Sequence, residues 1–156
     1  MKKTAKILII ACVLFGIFLT LNFTQPNQKF SAVISITFDD GYVSQYDAAE
    51  LLDTYGYKGT FYIPAGLIGQ EFEGRDVMNW VQIFDLQNRG HEIGGHTWNH
   101  TKASVVSEEV YDFAVYMGKE ELEDNGIAAK NFAYPYGDDS YKQAGGYFET
   151  ARTTKW

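Results

Sequence analysis

The 156-residue sequence has a single cysteine, three prolines, three histidines and few basic residues. Cys12 lies inside an apolar run, so the remaining chain has no thiol, which excludes a disulfide framework, a thiolate metal site and a cysteine nucleophile. Three prolines and 15 glycines exclude collagen-like and linker-type chains. Basic residues number 13 against 20 acidic ones, a formal charge of −7 that argues against nucleic acid or an anionic surface as partner of the folded part. Repeats and low-complexity segments are lacking too. What is present is apolar and aromatic: 46% hydrophobic residues, with 11 Phe, 11 Tyr and 3 Trp, exclude disorder.

The one long apolar run occupies residues 7–23, behind Lys2, Lys3 and Lys6 and with no acid before Asp39. It reads as an export signal or membrane anchor whose lysines stay inside. The expected placement is therefore anchored in the cell membrane and facing outward, or secreted. As a helix its strictly apolar part spans about 25 Å, short of a ~30 Å hydrocarbon core, and no small-x-small cleavage site follows. Without those three lysines, ten basic against twenty acidic residues leave −10 on the rest. Residues 24–31 read as a polar linker, and 125 residues remain for one domain, 32–156.

Along that domain, strand and helix patterns alternate. Strands are expected at 32–38, 59–63, 91–93 (ending at Gly94-Gly95), 130–134 and 150–154. Helices are expected at 47–55, with Ala48, Leu51, Leu52 and Tyr55 on its apolar face, at 76–88, with Val77, Trp80, Val81 and Phe84, and at 107–125, capped by Ser107. A short helical turn is expected at 140–144. Alternation of this kind implies βα units on a parallel sheet, either a barrel or a doubly wound fold. Chemistry then belongs past the C-terminal ends of the strands. Three polar clusters fall there: Asp39-Asp40, His96 to His100, and Tyr134-Pro135-Tyr136.

Asp39-Asp40-Gly41 reads either as an ordinary turn or as two carboxylates turned into one pocket. His96 and His100 are four positions apart. On a continuing strand they would stand about 13 Å apart, too far to share an ion. On one helical turn their Cβ atoms would be roughly 5–6 Å apart, suited to one metal. Asp40 or Asp39 supplies a third ligand, and the other carboxylate is free to act as base on water acidified by the ion. Zinc hydrolysis fits this set. An iron(II) oxygenase uses the same ligands but usually on an all-β scaffold. His91 reads as a core histidine, Glu108 and Glu109 as acids favouring a helix start, and Trp98 and Tyr136 as either sugar-stacking rings or ordinary core.

The segments Thr37-Phe38-Asp39-Asp40-Gly41, His96-Thr97-Trp98-Asn99-His100 and Ala133-Tyr134-Pro135-Tyr136-Gly137 resemble, in order and spacing, the motifs of the polysaccharide deacetylases (carbohydrate esterase family four, NodB homology). The resemblance runs from about Ala32 to the C-terminus. It implies a distorted (β/α) barrel, here incomplete with about five of seven strands. It also implies Asp39 as catalytic base, and Asp40, His96 and His100 as ligands of one divalent metal, usually zinc. Thr97 would brace the metal loop, the Tyr136 N–H would hold the oxyanion, and Trp98, Tyr134 and Pro135 would sit at the substrate or behind the site. The substrate implied is an acetylated polysaccharide, an N-acetylglucosamine polymer, from which mainly N-acetyl groups are removed. Two features depart from the pattern. Ala133 stands where the family often has an Arg that orients the catalytic Asp, and no histidine follows His100 to act as general acid. The alternative to an active deacetylase is therefore a catalytically impaired, carbohydrate-binding remnant of the fold.

Overall fold

The computed structural model describes residues 32–154. The expected leader at 7–23 and linker at 24–31 lie outside the described residues. Among the described residues no helix is long and apolar enough to cross a membrane.

Five parallel strands form the main sheet: β1 (Thr37–Phe38), β2 (Thr60–Ile63), β5 (Glu92–Gly95), β6 (Asn131–Ala133) and β7 (Thr150–Arg152). Their spatial order is also their chain order. Every crossover therefore adds its strand to the same growing edge, as in a singly wound barrel, and among the described residues there is no reversal point of the doubly wound kind. This removes the second of the two sequence alternatives. The crossovers carry α1 (Val43–Thr54), α2 (Trp80–Asn88), α3 (Glu108–Asp124) and α4 (Ala144–Tyr147). The core lies between sheet and helices, built on Phe61, Ile63, Ile83, Leu86, Tyr111, Val115, Leu122 and Phe132, all fully buried.

Several boundaries differ from expectation, each for a local reason. Strand β1 is two residues long rather than seven, and among the described residues it pairs with β2 alone; Val33 and Ile34 are exposed despite their alternation. Helix α1 starts a turn earlier and buries Ala49, while Leu51 and Tyr55 face solvent. The small side chain lets the helix approach the sheet. Helix α2 starts at Trp80 because Asn79 and Gln82 form a reciprocal capping box, each side chain bonded to the other's backbone N–H at 3.0 Å. Its buried residues are Ile83 and Leu86, and Val81 is exposed. Residues 71–76, in part assigned to that helix, instead form an antiparallel hairpin of β3 (Glu71–Phe72) and β4 (Arg75–Asp76). Its tip residues, Glu73 and Gly74, have φ of 49° and 75°, the left-handed pair of a tight hairpin turn.

Gly94 and Gly95 continue β5 rather than end it. A Cβ on Gly95 would lie 2.4 Å from the Phe148 ring, and one on Gly94 2.7 Å from the Asn131 carbonyl oxygen. These glycines are there for close approach, not for a turn. Helix α3 matches its expected span, with the Ser107 hydroxyl accepting from the Val110 N–H. The short helix α4 lies a few residues later than expected.

His91 is a core histidine, as expected. It is buried just before β5; its Nδ1 accepts from the Gly59 N–H at 3.1 Å and its Nε2 stands 3.3 Å from Asp53 Oδ1. Burial pushes its pKa below the usual imidazole range, against the opposing pull of Asp53.

Candidate metal centre

The three polar clusters converge at the C-terminal ends of the strands, in a cleft of about 220 Å³ lined by Asp39, Asp40, Glu73, His96, His100 and Tyr136. Asp39 and Asp40 follow β1, the histidines follow β5 and Tyr136 follows β6. Four non-glycine residues of these loops hold left-handed φ: Asp40 (74°), Thr97 (63°), His100 (58°) and Tyr136 (58°). Such backbone is costly for residues with a Cβ and collects at functional sites.

The histidines are not on a helical turn. They flank a tight turn at 97–99 whose left-handed Thr97 folds the chain back on itself. Thr97 is fully buried and its Oγ1 accepts from the Thr101 N–H at 3.0 Å, closing the loop. The turn is seated from outside by backbone bonds: Trp98 N–H to Ala114 O (2.8 Å), Gly66 N–H to Trp98 O (2.7 Å) and Ala65 N–H to Thr97 O (3.2 Å). The expected helical spacing was wrong about the conformation and right that both rings reach one point, their centroids being 4.8 Å apart.

Asp40 Oδ1 lies 3.4 Å from His96 Nε2 and 3.1 Å from His100 Nε2, and the ligand atoms of the three residues all fall within 4.8 Å of one another. Around a tetrahedral ion with bonds of about 2.0–2.1 Å, ligand atoms sit roughly 3.3 Å apart. The hydrogen-bond pattern gives a second test of fit. His96 Nδ1 contacts the Ala133 carbonyl oxygen at 2.7 Å. A carbonyl only accepts, so Nδ1 carries the hydrogen, and a neutral His96 turns an Nε2 lone pair toward a carboxylate oxygen. Two lone pairs facing each other need a proton or a cation between them. The three residues therefore fit a divalent ion. The two imidazoles beside it, His100 first and then His96, hold the Asp40 carboxyl well below the usual carboxylate range.

Asp39 is set apart from this cluster. Its Oδ1 is bound by the guanidinium of Arg152 at the end of β7, both side chains being about one-third exposed, and the Gln45 amide donates to its main-chain carbonyl. Arg152 is a site residue that the sequence reading did not single out. It is paired in register with Ala133, the neighbouring position across β6 and β7. The signal available was a lone arginine at a strand's C-terminal end in a chain poor in basic residues. Glu73, at the hairpin tip, was missed for the same reason as the hairpin.

The remaining expected site residues divide. The Tyr136 ring stands edge-on to His100 at 4.6 Å and is more than half exposed. Pro135 and Tyr134 are buried; Tyr134 packs edge-to-face on Phe132, with its N–H bonded to the Arg152 carbonyl. Trp98 lies against Gly66 and lines a separate groove of about 300 Å³ with Val110, Phe113 and Met117, outside the metal cleft.

Known proteins share this arrangement of strands. The chain is similar to a solved deacetylase of Streptococcus pyogenes, PplD in complex with acetate, with a TM-score of 0.65 and 24% identity over 77% of this chain and 54% of that one. It is also similar to IcaB from Ammonifex degensii, with a TM-score of 0.61 and 29% identity over 66% and 50%. Among curated proteins, a peptidoglycan-N-acetylglucosamine deacetylase of Bacillus cereus is 34% identical over 100 residues, 63% of this chain and 42% of that protein. A chitin deacetylase of Pestalotiopsis is 35% identical over 91 residues, 53% and 25%. The chain thus spans less than half the length of these curated relatives. The polysaccharide deacetylase family model matches residues 27–145, which contain the two aspartates, both loop histidines and Tyr136. With its incomplete (β/α) barrel and the motif residues gathered at the strand ends, the chain belongs to the polysaccharide deacetylase family.

Proposed function

We propose that the protein is a metal-dependent hydrolase that removes acetyl groups, mainly N-acetyl, from an N-acetylglucosamine polymer outside the cytoplasm. The observation that carries this reading is the division of labour between adjacent aspartates. Asp40 faces the two histidines, while Asp39 is turned to Arg152 and keeps a carboxylate at the same cleft. The relatives' named substrates, peptidoglycan N-acetylglucosamine and chitin, share the N-acetylglucosamine unit. The basic and apolar N-terminal run supports export, either anchored through residues 7–23 or secreted.

Asp40, His96 and His100 would hold the metal, which when bound would supply Lewis acidity and acidify a water. Asp39 takes the proton of the attacking water as its oxygen bonds to the acetyl carbonyl carbon, and Arg152 fixes the carboxylate in place for that transfer. The Tyr136 N–H, presented by a left-handed turn, donates to the developing oxyanion. The C–N bond then breaks as the amine nitrogen takes the proton that Asp39 received, and the acetyl group leaves as acetic acid, which ionises to acetate. Tyr136 and the hairpin tip form the rim against which a sugar packs.

The test is Asp39→Asn, measured by acetate release from N-acetylglucosamine oligomers and by zinc calorimetry. Turnover should fall by at least ~10²-fold with metal affinity unchanged, whereas Asp40→Asn should lose the metal. Loss of metal from Asp39→Asn would show that the aspartate roles are reversed. Absence of zinc binding by the wild-type chain would refute the metal reading altogether.

A further inference from the structure

The two metal-facing histidines are held in different ways. His96 is oriented by a hydrogen bond from Nδ1 to the Ala133 carbonyl. His100 Nδ1 is buried and has no hydrogen-bond partner among the described residues. Ligating histidines nearly always donate their second nitrogen to a fixed acceptor, which sets both tautomer and ring angle. His100 lacks that support and also carries a left-handed φ of 58°.

Ring contacts take its place. Phe72, on the hairpin, packs on His100 with centroids 5.0 Å apart and planes at 58°, and Tyr136 meets the ring from its own loop at 4.6 Å. Tyr136 is more than half exposed, so the firmer of the two supports is Phe72. Phe72 is itself fixed by stacking on Tyr42 (6.3 Å, 13°), and the Arg75 guanidinium, across the hairpin, lies 3.5 Å from the centroid of the same Tyr42 ring.

The base of the hairpin is stitched to the chain just after Asp40. Met78 N–H donates to Gly41 O at 2.9 Å, Val77 N–H to Gln70 O at 2.8 Å, and Tyr42 forms an isolated bridge with Val77. One small element therefore touches one candidate ligand, His100, through Phe72, and braces the segment that follows another, Asp40, through Gly41 and Tyr42.

Resting on the metal reading above, we propose that the β3–β4 hairpin is the positioning element of the metal centre. Phe72 orients His100 by aromatic contact, in the role that the Ala133 carbonyl plays for His96. Phe72 is a positioning residue: it acts through the His100 ring.

The experiment is cobalt and zinc titration of the full chain and of Phe72→Ala, Phe72→Leu and Phe72→Tyr. It is read by calorimetry and by the visible absorption of the cobalt form, with circular dichroism of the metal-free proteins as the folding control. Loss of a supporting contact of this kind weakens metal binding ~10–100-fold. Phe72→Ala should show that loss together with an altered cobalt spectrum, Phe72→Leu a smaller loss, and Phe72→Tyr near wild-type values. If Phe72→Ala does not fold without metal, Phe72→Leu decides by the same readout. Affinity within about threefold of wild type and an unchanged cobalt spectrum in the folded variant overturn the inference while leaving the metal centre standing. If wild type binds neither metal, the reading beneath it fails as well.

Discussion

Gly118 offers the sharpest test of how the candidate site is supported. It lies in the middle of α3, where alanine normally stabilises a helix by up to ~1 kcal/mol relative to glycine. A Cβ built there would lie 2.6 Å from the carbonyl carbon and oxygen of Thr97 and 2.9 Å from Trp98 N. Comfortable contact for such atoms is about 3.5–4.0 Å, so helix and loop must part by roughly 1 Å. The loop cannot yield freely, because Thr97 and Trp98 are held by backbone bonds to Ala65, Gly66 and Ala114. Overpacking of this kind costs ~1–3 kcal/mol, more than the propensity gain returns. Gly118→Ala should therefore be destabilised by about 1–2 kcal/mol, a fall in Tm of roughly 3–8 °C for a unit of this size. Gly145→Ala is the control, since a Cβ there meets nothing within 4 Å among the described residues. The assay is thermal unfolding followed by circular dichroism, with chelator and with zinc. Because His96 and His100 flank the displaced turn, zinc should stabilise Gly118→Ala less than wild type. A Gly118→Ala variant as stable as Gly145→Ala, with full stabilisation by zinc, would refute the argument that α3 buttresses the ligand loop.

Arg152→Ala should lower kcat for acetate release about 5–30-fold, with zinc affinity unchanged. This takes a charge-assisted hydrogen bond at ~1.5–3 kcal/mol, reduced to ~1–2 because both partners are one-third exposed. Arg152→Lys should recover part of that loss, and an unaltered kcat in the alanine variant would remove Arg152 from the mechanism. His91 gives a pH signature. Its folded pKa is lowered by burial, so its contribution is whole above the unfolded value near 6.5 and is lost as pH falls below it. The urea midpoint should accordingly drop between pH 7.5 and pH 5. His91→Gln, which keeps an acceptor for the Gly59 N–H, should flatten that slope, and equal slopes in both proteins would assign the drop to other groups.

Much of the site was legible in the sequence because its signals are local. Alternating β-branched runs, helix-stop glycines and the Ser107 cap mark βα units from a few neighbouring residues each. Once units alternate, chemistry is expected at the strand ends, where Asp39, Asp40, His96, His100 and Tyr136 are found. The hairpin and the Asn79 capping box were equally local, in Glu73-Gly74 and in Asn79 followed by Gln82. The capping box is masked by the apolar spacing of 76–88, which suggests one continuous helix, and the hairpin lacks the alternating β-branched pattern that marks a strand.

Other features had no local signal. The sequence by itself determined the kind of units, their order and the ligand types, since propensity, capping and hydrophobic period act over a few residues. Only the tertiary structure decided which strand lies beside which, and with it the partners of each site residue. Arg152 meets Asp39 from 113 positions away, and the Ala133 carbonyl sets the tautomer of His96 across 37. Phe72 reaches His100 from a hairpin anchored beside Asp40. Those contacts follow from sheet register and helix packing, which pattern along the chain does not encode pair by pair. The pattern thus marks the residues that can bind a metal, and the fold sets how each is held.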